Sequence, residues 1–512
     1  MPFTHIDLIG LNKHEMFDAP IVGNNDELIA LATASKTANQ SISIAGMRHS
    51  QGGHTALDDG RMVFTEAMQM SIVVADDRKT VKVNAGATWS DLHFRLGPMG
   101  LAPLVHQSSP HFSIGGSLSV DCHGREVHEG ALSNTVVSLT VLTNSDGVLK
   151  ETVTSRKSNE YPDLFFAVLG GYGACGVILD ATLKITENIR MMKYSNKVRG
   201  NSEESLTRLN DHLVAASAGK SLYKHDQGND NKDINMFYAW MNVSNNPNKY
   251  LTHAIAYEYV PRDNINHQMR VAWFKNEDWS TTEAMRAAWT AGRNDITMRG
   301  ILFDEIATMT EQPHEDYLIN FLREEISFTA SKGDADTVDL LQEFFIPLPN
   351  IIVFLEKLKG ELKIGNDAGI EVLSCTLRVI KPPTNTNGKP LLSYAHRHRE
   401  RSKIPPNSSM VSVALEIKVK KGISEISKTG DTYPKYTVAR VVVEKIQSII
   451  DIALDELEGS YYLPYYQAAK IEQFRKAYPN YQQWLDQANI WNPIVEGEKR
   501  LFDNEFLKTH LK

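Results

Sequence analysis

The sequence predicts an α+β protein of two lobes, and three observations carry that reading. The chain has 512 residues, more than one hydrophobic core usually serves. From about residue 40 to residue 187 it alternates short strand-like runs with glycine-rich turns, which predicts a first lobe rich in sheet. Beyond Asn188 the glycine density falls and longer mixed helix and strand patterns begin, which marks a second lobe.

Each element follows from local pattern. SISIAG and TVKVNAG alternate apolar with polar residues, as half-buried strands do, and TWSDLHFRL turns helical around Leu92 and Leu96. VVSLTVLT meets NSDG, where Asp146 and Gly147 suit a tight turn, so VLKETVT returns as the second strand of a hairpin. Val177, Leu179, Ala181, Leu183 and Ile185 place every second residue on one apolar face. In the second lobe IIVFLEKLKGEL reads as helix, and MFYAWMNV and VSVALEIKV read as strands. Between Pro382 and Pro406 the Pro, Asn, Ser and basic residues predict a loop, and a final helix from Val438 should end at Gly459.

Composition narrows the function classes. The hydrophobic share of 42% and charged share of 23% are ordinary for a soluble protein, and no run approaches the roughly 20 apolar residues of a membrane span. A net charge of -8 disfavours general attraction to nucleic acid, and the basic run from His396 to Arg401 reads as a solvated loop. The first eleven residues show no secretory pattern, so a cytoplasmic location is expected. Cys122, Cys175 and Cys375 are odd in number and without a CxxC pair, which argues against a disulfide framework and a zinc site. His123 and His128 lack further ligands at a sensible spacing, so no metal is expected.

Three segments concentrate glycine and histidine: AGMRHSQGGHT at 45–55, SIGGSLSVDCHG at 113–124 and LGGYGACG at 169–176. Glycines let successive backbone amides approach phosphate oxygens, although any one of these segments can equally be a tight turn. Their order resembles the FAD-binding domain of the vanillyl-alcohol-oxidase/p-cresol methylhydroxylase (PCMH-type) flavoproteins over residues 15–190 and the last fifty or so. GMRHS is similar to the version in alditol and aldonolactone oxidases, where the histidine before the serine carries flavin covalently. VDCHGREVHEG is closer to the decaprenylphosphoryl-ribose oxidases, whose flavin is noncovalent, and LGGYGACGVILDATLKI resembles the family's GGxGxxGIIxxATxxxT.

The resemblance implies FAD as cofactor, held by Gly46, Arg48, His49, Ser50, Gly52, Gly53, Gly115, Gly116, Ser119, Gly124, Gly171, Gly173, Gly176 and Val177. Attachment through His49 is implied, with His54 or a noncovalent flavin as alternatives. No Rossmann GxGxxG follows a strand here, so a nicotinamide cofactor is not expected. The likeness further implies an FAD lobe over 1–187, a substrate (cap) domain over 188–450, and a segment over 451–512 that completes the FAD lobe and the active site.

For chemistry, His123 is expected to face flavin and substrate, or else to buttress its loop. SCTLRVIKPP lies where alditol oxidases have SEIRT, so Arg378 matches their arginine while Thr376 replaces their glutamate. Lys381 lies where decaprenylphosphoryl-ribose oxidases also have a lysine. In SYYLPYY, Tyr465 falls at or beside a lysine of those relatives, with Tyr462 and Tyr466 close by. A phenol at Tyr465 is a neutral donor unless a nearby positive charge, for which Arg378 is the candidate, stabilises phenolate and makes it the proton acceptor. The implied activity is oxidation of a CH–OH group of a sugar, polyol or aldonolactone by hydride transfer to flavin N5, with oxygen or another acceptor as electron partner. The alternatives are an oxidase of a polyprenyl-phosphate-linked sugar and a flavin-binding module with altered catalysis.

Overall fold

The computed structural model describes residues 3–6, 11, 13–107, 109–156, 161–223, 232–262, 291–323, 336–382, 388–394, 404–405, 408–423, 436–495 and 497–511. It is a mixed helix and sheet architecture built on two large sheets. The first has six strands. Ile72–Val74, Thr80–Asn84, Val177–Glu187, Val136–Thr143 and Lys150–Ser155 lie side by side in that order, and Leu101–Pro103 pairs with Val177–Glu187. The hairpin read around NSDG is present, with Thr143 opposite Lys150. The alternating face of Val177–Glu187 is buried at Leu179, Ala181, Leu183 and Ile185.

The second sheet has nine strands. Its order runs His314–Tyr317, Arg190–Val198, Ala254–Pro261, Met236–Met241, Glu371–Ile380, Met410–Ile423, Thr337–Pro347 and Ser460–Tyr461, with Tyr436–Val438 added beside Met410–Ile423. The helices expected from IIVFLEKLKGEL and from Val438 appear as Ile351–Glu361 and Arg440–Asp451, the latter continued by a π turn over Ile452–Glu456. One hydrophobic core runs continuously from Val81 and Trp89 beside the first sheet to Phe344, Leu415 and Trp484.

Several helices went unread in the sequence, among them two within the first 120 residues. Asn25–Thr37 precedes the strand-rich region, and its start is fixed by Asn24, whose side chain accepts from the Glu27 amide. Within SIGGSLSVDCHG the glycines do not prevent a short helix over Ile114–Ser119, capped by Ser113. The basic run from His396 to Arg401, and most of the loop expected over 382–406, lie outside the described residues.

The C-terminal segment is tied to the N-terminal part of the chain by backbone and side-chain bonds. Ile42 N donates to Leu501 O at 2.7 Å, and Trp484 Nε1 donates to Gly171 O at 3.2 Å. Asn492 is fully buried and serves three groups: its Nδ2 donates to Ala174 O and Phe502 O, and its Oδ1 accepts from Phe502 N. Replacing it by alanine strands these buried backbone groups. Asn492→Ala should therefore lower the unfolding free energy by about 3 kcal/mol in urea titration, whereas an unchanged midpoint would show that the segment is held elsewhere.

Candidate functional site

Between the two sheets lies a cavity of about 300 Å³. Strand pairing explains one wall. Arg378 stands opposite Ser412, Thr376 opposite Ala414 and Ser374 opposite Glu416. On the other side of the same central strand, Glu343 stands opposite Ala414 and Leu341 opposite Glu416. Because side chains alternate along a strand, these positions share one face, and Leu341, Glu343, Ser374, Thr376, Arg378 and Glu416 all line the cavity.

The facing wall comes from the glycine-rich segments. Gly46, Arg48, His49, Ser50, Gly115, Gly116, Ser119, His123, Gly173, Gly176 and Val177 reach the cavity as the resemblance implied. Gly176 has φ +136°, and an added Cβ would lie 2.4 Å from Leu142 O, so no other residue fits there without backbone movement. Gly173, at φ +82°, has nothing within 4 Å of an added Cβ and so leaves open space on the cavity side. By contrast Gly52, Gly53, Gly124, Gly171 and Lys381 are not on the wall. Gly171 is required for packing, since a Cβ would strike Ala167 O at 1.9 Å, and Lys381 follows the end of its strand, where its carbonyl packs on Gly130.

Both histidines of the first segment face the cavity. His49 leans on Phe112 with ring centroids 4.2 Å apart, and its buried Nδ1 has no hydrogen-bond partner among the described residues. Burial, His111 and Arg48 push its pKa down to about 4, so the imidazole is neutral at physiological pH. His54 is stacked on Phe506 at 4.6 Å, with both ring nitrogens unpartnered, and burial takes it down to about 3. Unpartnered nitrogens and an open glycine cradle fit a polar, planar ligand of the flavin dinucleotide kind.

A buried polar cluster closes the far end. His123 Nε2 and Glu343 Oε1 lie 2.8 Å apart, with side chains only 3% and 2% exposed. The Ser412 hydroxyl donates to the same carboxylate oxygen. Burial works to raise the Glu343 pKa, but His123, Arg378 and Ser412 outweigh it and hold the carboxyl below its ordinary value. His123 is thus paired with a carboxylate that the sequence reading missed, and Arg378 is near enough to act on that carboxylate electrostatically. The signal was present in DLLQEFFIP, an apolar strand interrupted by a single glutamate on the face that also carries Leu341.

Tyr465 reaches the cavity, but its expected ionisation is overturned. Burial first, and then Glu343, push the phenol well above its ordinary value, and the opposing pull of Arg378 does not compensate. The Tyr465 hydroxyl is thus a neutral donor, directed at Glu343. Tyr462 also lines the cavity, its hydroxyl spent on Val120 O at 3.0 Å and its ring packed edge-on against Tyr465 at 5.5 Å. Among the described residues no cluster of His, Cys, Asp and Glu suits a metal ion, and no helix is long and apolar enough to cross a membrane.

Comparison with known proteins bears out the resemblance drawn from the motifs. Residues 21–152 match the model of an FAD binding domain, which makes FAD the cofactor of this chain. L-Gulonolactone oxidase of Mus musculus is 31% identical over 214 residues, 41% of this chain and 45% of that protein. Decaprenylphosphoryl-beta-D-ribose oxidase of Mycolicibacterium smegmatis is 25% identical over 254 residues, 48% of this chain and 50% of the relative. Cytokinin dehydrogenase 2 of Arabidopsis thaliana is 30% identical over 168 residues, 33% of this chain and 32% of the relative. The matches span half the length of these relatives or less.

The open side of Gly173 gives a direct check on the cavity. Gly173→Val places a branched side chain in that space, at a φ it tolerates poorly. The purified variant should show a lower flavin-to-protein absorbance ratio with its far-ultraviolet dichroism kept, and full flavin content would show that this loop does not border the cofactor.

Proposed function

We propose that the chain is an FAD-dependent oxidoreductase that oxidises a CH–OH group of a sugar, polyol or aldonolactone. The observation that carries this reading is the buried Glu343, His123 and Arg378 cluster on a cavity whose other wall is formed by the glycine-rich loops. FAD, when bound, supplies the acceptor for a hydride at N5. Everything else falls to this chain. The loops at 46–50, 113–119 and 173–177 would hold the dinucleotide, their backbone amides being suited to phosphate oxygens. Arg378 polarises the substrate oxygen, and Glu343, held anionic, accepts its hydroxyl proton.

His123 fixes the Glu343 carboxylate, and Tyr465 orients the substrate as a neutral hydrogen-bond donor rather than as the base. Oxygen or another acceptor completes the cycle. A buried carboxylate paired with a histidine and lying near an arginine at the cavity favours an enzyme over a flavin-binding module that has lost catalysis. The names of the relatives, which include oxidases of L-gulonolactone and of a polyprenyl-linked ribose, support a polyhydroxylated substrate.

In this reading the FAD domain spans 1–187 and the substrate (cap) domain 188–450, with 451–512 completing the FAD lobe and the active site in a two-lobed PCMH-type arrangement. The first large sheet draws its strands from 72–187, and the second draws its strands from 190–438 together with one short edge strand, Ser460–Tyr461, from the C-terminal segment. Unpaired, buried thiols at Cys122, Cys175 and Cys375 suit a reducing, cytoplasmic setting.

His49, neutral and with a free Nδ1 on the cavity wall, is the proposed point of flavin attachment. Acid precipitation should leave yellow colour in the protein pellet of the wild type and release it from His49→Ala. Flavin in the wild-type supernatant would refute attachment.

Proton transfer to Glu343 is tested by anaerobic flavin bleaching with an alcohol substrate. Glu343→Gln should retain flavin yet slow bleaching by about 100-fold or more. A depressed carboxyl pKa keeps the base ionised as pH falls, until the pH passes below the ordinary glutamate value. The wild-type rate should therefore be flat through neutrality and fall only in acid, with no alkaline rise from Tyr465. A rate that climbs through the phenol range would contradict this assignment.

A further inference from the structure

Glu416 takes no part in the chemistry proposed above, yet it lines the same cavity. It is 3% exposed, and its Oε2 is buried without a hydrogen-bond partner among the described residues. A carboxyl in that state carries a cost of several kcal/mol unless something completes it. The groups around it do not. Across the strands it faces Ser374 and Leu341; along its own strand, on the same face, lie Ala414 and Lys418. Asp339 is paired with Arg293 at 2.6 Å, and Lys418 Nζ donates to Arg293 O at 2.7 Å.

Burial, and then the neighbouring Asp339, keep the Glu416 proton on well above the ordinary glutamate range, against the pull of Arg293. A protonated carboxyl has one O–H to donate. Its place relative to the reacting end follows from the register. Glu343 stands opposite Ala414, two residues along the central strand from Glu416. Two residues and one strand spacing separate the two backbones by about 8 Å. That interval suits a ligand whose reacting oxygen sits at Glu343 and Arg378 and whose second oxygen lies several carbons away.

We infer that Glu416 is a specificity-determining residue, a neutral hydrogen-bond donor that reads a distal hydroxyl of a polyhydroxylated substrate and so discriminates it from a simple alcohol. This rests on the function proposed above, which supplies the reacting end but names no residue for the far end. Ser374, opposite Glu416 on the wall, offers a second hydroxyl to the same substrate oxygen.

The test compares pentane-1,2,5-triol with pentane-1,2-diol, which lacks only the distal hydroxyl, in anaerobic titrations of the flavin-loaded protein. The visible flavin band reads binding as a spectral shift and oxidation as bleaching. Wild type should half-saturate with triol at about tenfold lower concentration than with diol, the worth of one buried hydrogen bond. Glu416→Leu should lose that preference while its diol values stay within about twofold of wild type. Glu416→Gln keeps a donor and should keep part of the preference.

Equal wild-type responses to the two ligands would overturn the inference, whether or not the variants fold. So would a preference that survives in Glu416→Leu, or no response to either ligand. A spectral shift without bleaching would instead contradict the proposed oxidation, while leaving the Glu416 comparison readable.

Discussion

A carboxylate cannot stay ionised inside a protein without partners, and Glu343 meets that constraint by reaching across the cavity. Its partner His123 belongs to the segment that follows the glycine-rich helix, whereas Glu343 and Ser412 belong to adjacent strands of the larger sheet. A charge buried to 2% exposure costs several kcal/mol to desolvate, and removing one partner typically costs about 3–5 kcal/mol. The pair therefore fixes how the glycine-rich loops face the sheet. Once that distance is set, Arg378, Tyr465 and His49 fall around one space, although His49 lies hundreds of residues from the other two in sequence.

The cavity also separates its acids by environment. Glu343 is held anionic by His123, Arg378 and Ser412, while Glu416, two positions along the neighbouring strand, is kept protonated by burial and Asp339. Tyr465 is likewise kept neutral, by burial and by the very carboxylate it faces. One end of the wall can thus accept a proton and the other can donate a hydrogen bond, a division of roles that environment rather than residue type imposes. Under the proposed chemistry the proton acceptor is therefore Glu343, on a strand of the larger sheet, rather than Tyr465.

Much of the fold was legible because it depends on local pattern. Alternation along Val177–Glu187, the turn residues of NSDG and the apolar spacing after Val438 each determine their element with little help from the rest of the chain. The Asn25–Thr37 helix was missed because its apolar residues form only a weak stripe, and Ile114–Ser119 because two glycines disguise a helix held by its Ser113 cap. Of the positions the motifs pointed to, Gly46, His49, Gly173 and Gly176 line the cavity. The motifs could not separate glycines that border the cavity from those such as Gly171 that answer to packing, since both need the same missing Cβ. Glu343 and Glu416 escaped notice because their importance depends on which face of a three-strand register they occupy, and register is a tertiary property. The Tyr465 ionisation depends on tertiary surroundings in the same way, since burial first, and then Glu343, raise its pKa against the pull of Arg378.

If Glu343 and Arg378 serve the reacting end, the bound flavin ring would lie between the glycine-rich loops and the strand face that carries them. Electron density for a crystal of the flavin-loaded protein tests it most directly. The account predicts the isoalloxazine against Arg378, Glu343 and His123, with the pyrophosphate beside the 46–50 and 173–177 loops. An isoalloxazine found away from that wall, with Glu343 and His123 still paired behind intervening side chains, would contradict it.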